Sequence, residues 1–216
     1  CALPISQIAK LTTAQVSALT TTQVAAIESA DLAALSNLQL QALSTGQIRA
    51  LGAEQIAALG TGQVSTLSTA NIEALSTAQV VALTTAQVAA LSTAQVVALT
   101  SAQVAALQTD DLAALTTTQI RALETADLVA LTQPQIVALT SAQVAALTTG
   151  QIAALTTTQV AAIQSGDLQG LSTAQIVALT TAQVHALTGD QHLQSAPDHR
   201  EAGLVAADGG AGPADR

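Results

Sequence analysis

A period of eight residues runs through this chain and limits its fold more than any other feature. The phrase Leu-Thr/Ser-Thr-Ala-Gln-Val-Ala-Ala can be followed from Leu11 to Ala186 as 22 complete octads, with a degenerate copy at each end (Leu3–Lys10 and Leu187–Gln194). A fixed short period marks a repeat array, in which a unit too small to bury its own apolar face stacks on its neighbours. An isolated helix of this length is unstable in water, so a lone octad cannot fold.

With Leu as position 1, each octad carries a complete helix-start signal. Position 2 is Ser or Thr in 16 of the 22 octads, and position 5 is Gln in 17. A hydroxyl followed three residues later by Gln is a capping box. Position 1 (Leu, or Ile at Ile27 and Ile163) and position 6 (Val, Ile or Leu) are placed as a hydrophobic staple. The breakers agree. Within the array Gly falls at position 2 (Gly52, Gly60) or 4 (Gly46, Gly62, Gly150, Gly166), with Gly170 at position 8 as the exception. Pro4 is at position 2 and Pro134 at position 4. Both residues are tolerated at a helix start and costly in its interior. The pattern predicts a helix over positions 3 to 8 of each octad, with the chain bending at position 2.

Two positions change together. Where position 5 is Asp (Asp31, Asp111, Asp127, Asp167), position 2 is Glu or Gln (Glu28, Gln108, Glu124, Gln164), and Ser or Thr stays at position 3. The expected reading is a cap displaced by one residue, with Asp in the first turn favoured by the helix dipole. The Gln column is expected to serve ordinary capping. Bonding to neighbouring backbones, if Gln79, Gln87, Gln95 and Gln103 stack, is the alternative.

Other architectures fit less well. In one continuous helix, eight residues advance the phase by about 80°, so no apolar stripe persists. In a strand, positions 1 and 6 would face opposite sides. A β-solenoid is the alternative fold, suggested by fragments such as Ala30-Asp31-Leu32, although Ala, Leu and Gln favour helix. A Gln in most octads and many hydroxyls argue against a membrane span. The alternation Val81/Ala89/Val97/Ala105 hints at a sixteen-residue hairpin with two unlike helices.

Composition narrows function. Only 9% of residues are charged and none is aromatic, and the formal net charge is −9. Low charge leaves long hydroxyl- and amide-rich surfaces, which suit extended or self-associating proteins. Nucleic acid is excluded on the same grounds: phosphate contacts need basic groups, and only Lys10, Arg49, Arg121, Arg200 and Arg216 exist. Cys1, the only Cys, allows no internal disulfide. A first-residue Cys is what a mature bacterial lipoprotein presents for acylation. A processed chain or a fragment boundary is the reading taken. Residues 195–216, rich in Gly, Pro, Asp and Ala, are expected to form a disordered tail after the solenoid of residues 1–194.

No constellation of catalytic or metal-binding residues emerges. His185, His192 and His199 are seven apart, but Pro197 interrupts them, and exposed histidines are expected. The four Asp are scattered, whereas acid–base catalysis needs convergence in a pocket. Flat hydroxyl arrays can bind ice or glycans, and a twisting solenoid spoils the flatness. No catalytic, cofactor-binding or metal-binding residue is assigned, no cofactor is expected, and the chain is read as a non-enzyme.

The Thr-Thr-x-Gln-Val/Ile-x-Ala-Leu array over residues 3–190 resembles octapeptide-repeat stretches of very large secreted proteobacterial exoproteins, described as adhesin-like or haem-utilisation-like. A second, local likeness is that Leu131-Thr132-Gln133-Pro134-Gln135-Ile136-Val137-Ala138-Leu139 is similar to the first helix of TAL-effector repeats. The second helix and base-reading loop of those repeats are missing, and DNA binding is not carried over. The expectation is an all-α solenoid of very short capped helices. It would be a structural or adhesive segment of a larger bacterial surface or secreted protein. Protein or cell-surface partners and self-association are expected, with a peptide- or protein-binding scaffold as the alternative.

Overall fold

The computed structural model describes residues 8–187. The 195–216 tail, Cys1, His192 and His199 lie outside the described residues. Among the described residues the chain forms 22 short helices and no strand, from Thr13–Ser17 (α1) to Thr181–Ala186 (α22). This is the all-α solenoid that the octad predicts; the β-solenoid alternative is excluded.

Each helix occupies positions 3 to 7 or 3 to 8 of its octad, except Ser165–Leu168, which stops at position 6. Thr85–Ala89 (α10) and Ser101–Ala106 (α12) show the two lengths. Position 2 is the N-cap and is extended, as at Thr84 (φ −77, ψ 154). In the longer form position 1 is extended too, as at Leu123 (φ −59, ψ 137). Two consecutive extended residues therefore re-aim the chain between helices. No described residue has positive φ, glycines included. Gly52 sits at φ −74, ψ 162, a conformation open to any residue, so the bend needs no glycine.

Positions 6 and 1 face inward. Val80, Val88, Val96 and Val104 are fully buried, and Leu83, Leu91 and Leu99 nearly so. Together these columns form one continuous apolar core along the axis. Positions 2 to 4 are exposed in octad after octad, and position 5 is buried despite being polar.

Helices pack on the third helix along: α10 on Thr109–Ala114 (α13), and α12 on Thr125–Ala130 (α15). One turn of the solenoid therefore takes three octads. The two-helix hairpin suggested by the Val81/Ala89 alternation is incorrect. Those residues stand at position 7, which is half exposed, as at Val81 and Val97 (both 44%), so their alternation reports nothing about packing. Successive turns are staggered. Arg49 at position 7 donates from Nε to the Ala74 carbonyl at position 8, 3.1 Å away. A Cβ added to Gly170 at position 8 would lie 3.6 Å from the Ala145 Cβ at position 7 of the turn below.

Candidate functional site

The feature that recurs in almost every octad is the position-5 carboxamide, which has two ends and uses both. At Gln87 the Oε1 accepts from the Thr84 backbone N–H at 2.7 Å, completing the cap. The Nε2 crosses to the preceding turn and donates to the carbonyls of Ile56 (2.9 Å), Ala57 (3.3 Å) and Leu59 (2.6 Å). Gln103 does the same with Ile72, Glu73 and Leu75, and Gln159 with Leu128, Val129 and Leu131. These carbonyls lie 28, 30 and 31 residues back, where one helix ends and the next begins. The last turn of a helix leaves its carbonyls without intrahelical partners, and here the turn above supplies the donors.

The expectation of ordinary capping was therefore half of the role. The hydroxyl half of the box is the weaker one. The Gln87 N–H reaches the Thr84 Oγ1 at 3.3 Å, beyond the usual N–H···O range. Gly52 and Gly60 dispense with the hydroxyl, yet their N–H groups still donate to Gln55 and Gln63 Oε1 at 2.6 Å. Asn71, one methylene shorter than Gln, keeps a single lateral bond, to the Leu43 carbonyl at 3.3 Å.

The paired substitutions at positions 2 and 5 have a different cause from the displaced cap expected. The N-cap stays at position 2: Gln108 and Glu124 are extended and make no side-chain cap bond. What changes is the direction of the lateral bond. Asp111, Asp127 and Asp167 are buried, and each accepts from a hydroxyl of the preceding turn: Thr85 (2.8 Å), Ser101 (2.8 Å) and Ser141 (2.6 Å). A carboxylate offers no donor for the carbonyls below. At Gln108 and Gln164 the position-2 carboxamide supplies it, through Nε2 to the Val81 and Val137 carbonyls (both 3.0 Å). These are the carbonyls 30 residues before Asp111 and Asp167, so the two side chains share one task. At Glu124 the donor is missing, and Asp127 Oδ2 instead accepts from the Glu124 N–H at 3.2 Å.

The buried Asp side chains remain dispersed along the array, in octads beginning at Ile27, Leu107, Leu123 and Ile163. His185 is exposed in α22. Among the described residues no three His, Cys, Asp or Glu side chains are grouped to hold a metal ion, and no helix is long and apolar enough to cross a membrane. The surface has shallow hollows. One, of about 460 Å³, is lined by Arg121, Thr148, Thr149, Gly170, Ser172 and Gln175, beside the shortest helix, Ser165–Leu168 (α20). Sequence reasoning had no signal for it, because Gly170 reads only as an irregular position 8.

A cap followed by a ladder residue gives the recurring string Ala82-Leu83-Thr84-Thr85-Ala86-Gln87, repeated at Ala178 to Gln183. The model of the ALTTAQ repeat matches residues 24–61, 56–93, 81–109, 104–141, 120–157 and 160–193. The chain belongs to the ALTTAQ repeat family. Six matches, the first five overlapping in turn, cover most of its length, and the octad is the physical unit within each. No curated protein matches the chain. The structure gives the ALTTAQ string its meaning: Leu closes the core, Thr caps, and Gln ties one turn to the next.

Proposed function

We propose that this ALTTAQ array is a non-catalytic structural and adhesive segment of a larger bacterial surface or secreted protein. The observation that carries the reading is the surface itself. Positions 2 to 4, mostly Thr/Ser-Thr-Ala, are exposed in nearly every octad, giving a hydroxyl-rich face that repeats along the solenoid. A site for one small ligand needs unlike groups converging in one place. A spacer or adhesive surface needs length and repetition, and the lateral ladder provides both by joining each turn to the last. The resemblance to repeat stretches of secreted exoproteins supports the extracellular location.

A binding scaffold is the second reading, favoured by the Arg121–Gly170 hollow, where the repeat is least regular. The test deletes Leu75–Ala98, three octads and so one full turn, from the full-length parent. The flanking turns should rejoin in register. Surface labelling of intact cells should still find the array, and cell attachment should fall in proportion to length. Abrupt loss of binding with helicity retained favours the scaffold. Absence of the array from the cell surface, or loss of a measurable turnover, overturns the proposal.

A further inference from the structure

Arg49 and Arg121 stand at position 7 of the same stack of helices, 72 residues and so three turns apart, and meet different surroundings. Arg49 is tied down, through Nε to the Ala74 carbonyl of the next turn at 3.1 Å. The equivalent carbonyl for Arg121, also 25 residues on, is that of Ala146, which borders the hollow of about 460 Å³. Arg121 is exposed, and among the described residues its guanidinium meets no acceptor, Glu124 included. The hollow lies where the turn above is cut short: α20 ends at Leu168, and Gly170 lacks the Cβ that Ala or Thr carries in the other complete octads. The lining is already fixed. Gln175 Nε2 holds the Ala145 (3.0 Å) and Leu147 (2.7 Å) carbonyls, and its Oε1 accepts from the Ser172 N–H at 2.8 Å. Thr148 Oγ1 accepts from the Gln151 N–H at 3.1 Å, which leaves its proton for an outside acceptor. Thr149 beside it is exposed, and the half-buried Ala145 and Ala146 add an apolar patch.

We propose that this hollow binds an acidic sugar, a hexuronate unit, with Arg121 taking the carboxylate and the Thr148 and Thr149 hydroxyls taking sugar hydroxyls. The inference rests on the second reading of function, in which the hollow is a binding site. Here unlike groups converge, as a small-ligand site requires, and the volume falls within the roughly 300–1,000 Å³ of such sites. A guanidinium fork matches a carboxylate with two parallel hydrogen bonds. One such cation on a chain of net charge −9 suits a single negative charge better than a phosphate, which carries about two. The patch of Ala145 and Ala146 suits the C–H face of a sugar ring. A peptide is the poorer fit. Peptides add to a strand edge or lay an apolar helix face in a groove, and the described residues contain no strand, while hydroxyls and a cation dominate this lining.

The experiment follows the backbone amides of the isotope-labelled whole chain by NMR at low ionic strength, where an exposed charge is least screened. Glucuronate, glucose and a triglutamate peptide are titrated in turn. Glucuronate should bind with a Kd of about 1 mM, shifting the amides of Thr148, Thr149 and Gly170, and glucose should bind at least about tenfold more weakly. Arg121→Gln should weaken glucuronate binding at least about tenfold. It leaves the fold intact, because the side chain is exposed and bonds to nothing in the described structure. Arg49→Gln, at the cation already committed to Ala74, should change nothing. Gly170→Leu should also weaken binding by filling the hollow. A Cβ there lies an ordinary 3.6 Å from the Ala145 Cβ, and circular dichroism checks that helicity is kept. Binding that survives Arg121→Gln overturns the proposal, as does a peptide that occupies the hollow more tightly than glucuronate, although that result keeps the scaffold reading. If neither sugar nor peptide shifts these amides, the proposal and the scaffold reading of the hollow fall together.

Discussion

The octads of Gln103 and Asp111 are neighbours in sequence and hold their turns together in opposite ways. Gln103 sends a donor down to three carbonyls of the preceding turn. Asp111 draws a donor up from the Thr85 hydroxyl and leaves the carbonyls to Gln108. The Gln octad meets every demand with one side chain. The Asp octad divides the task between two and leaves the buried Asp111 Oδ2 without a partner. What most octads preserve is a donor over the end of the underlying helix, and the residue that supplies it can change, although the Glu124/Asp127 octad goes without one.

The largest effect should come from converting one kind of octad into the other by a single change. Gln103→Asp removes three lateral bonds and sets a carboxylate among carbonyls, at an expected cost of about 3 kcal/mol in chemical unfolding. Adding Thr100→Gln should recover about 1 kcal/mol, because Thr77 stands where Thr85 stands beneath Asp111. If the double change is no better than the single one, the division of labour is wrong. Gln108→Ala tests the shared task from the other side. It should cost about 1–2 kcal/mol, and much less once Asp111→Gln is present, because the new carboxamide reaches the same carbonyls. Strict additivity would break the comparison. The smallest effect is expected at Thr84→Ala, about 0.5 kcal/mol by thermal unfolding, because its hydroxyl bond is long and Gly52 and Gly60 already do without one.

Much of this was legible in the octad. The helix from position 3, the N-cap at position 2 and the inward residues at positions 1 and 6 all follow from the capping box and the staple. The number of octads per turn was not legible. It shows in the packing of each helix on the third one along, and a Gln in almost every octad carries no modulation at three. Position 7, where Val81 and Ala89 alternate, is half exposed, so its pattern does not report the number of octads per turn. The link between Asp and position 2 was visible as a pair of changes. Its cause was hidden, because the two side chains meet at a carbonyl 30 residues earlier, not at their own cap. The hydroxyls that receive Asp111, Asp127 and Asp167 could not be singled out, since position 3 is a hydroxyl in most octads.

The central claim is that Nε2 of the position-5 carboxamide binds each turn to the one below. Gln15 and Gln87 make the same cap bond, and among the described residues only Gln87 also donates to a turn beneath it. Glu in place of Gln keeps the cap acceptor and deletes the donor, so unfolding of Gln15→Glu and Gln87→Glu at neutral pH, in dilute monomeric solution, isolates the ladder. Gln87→Glu should lose about 3 kcal/mol and Gln15→Glu less than about 0.5 kcal/mol. Equal losses at the two positions would show that the carboxamide acts only as a cap, and would contradict the account.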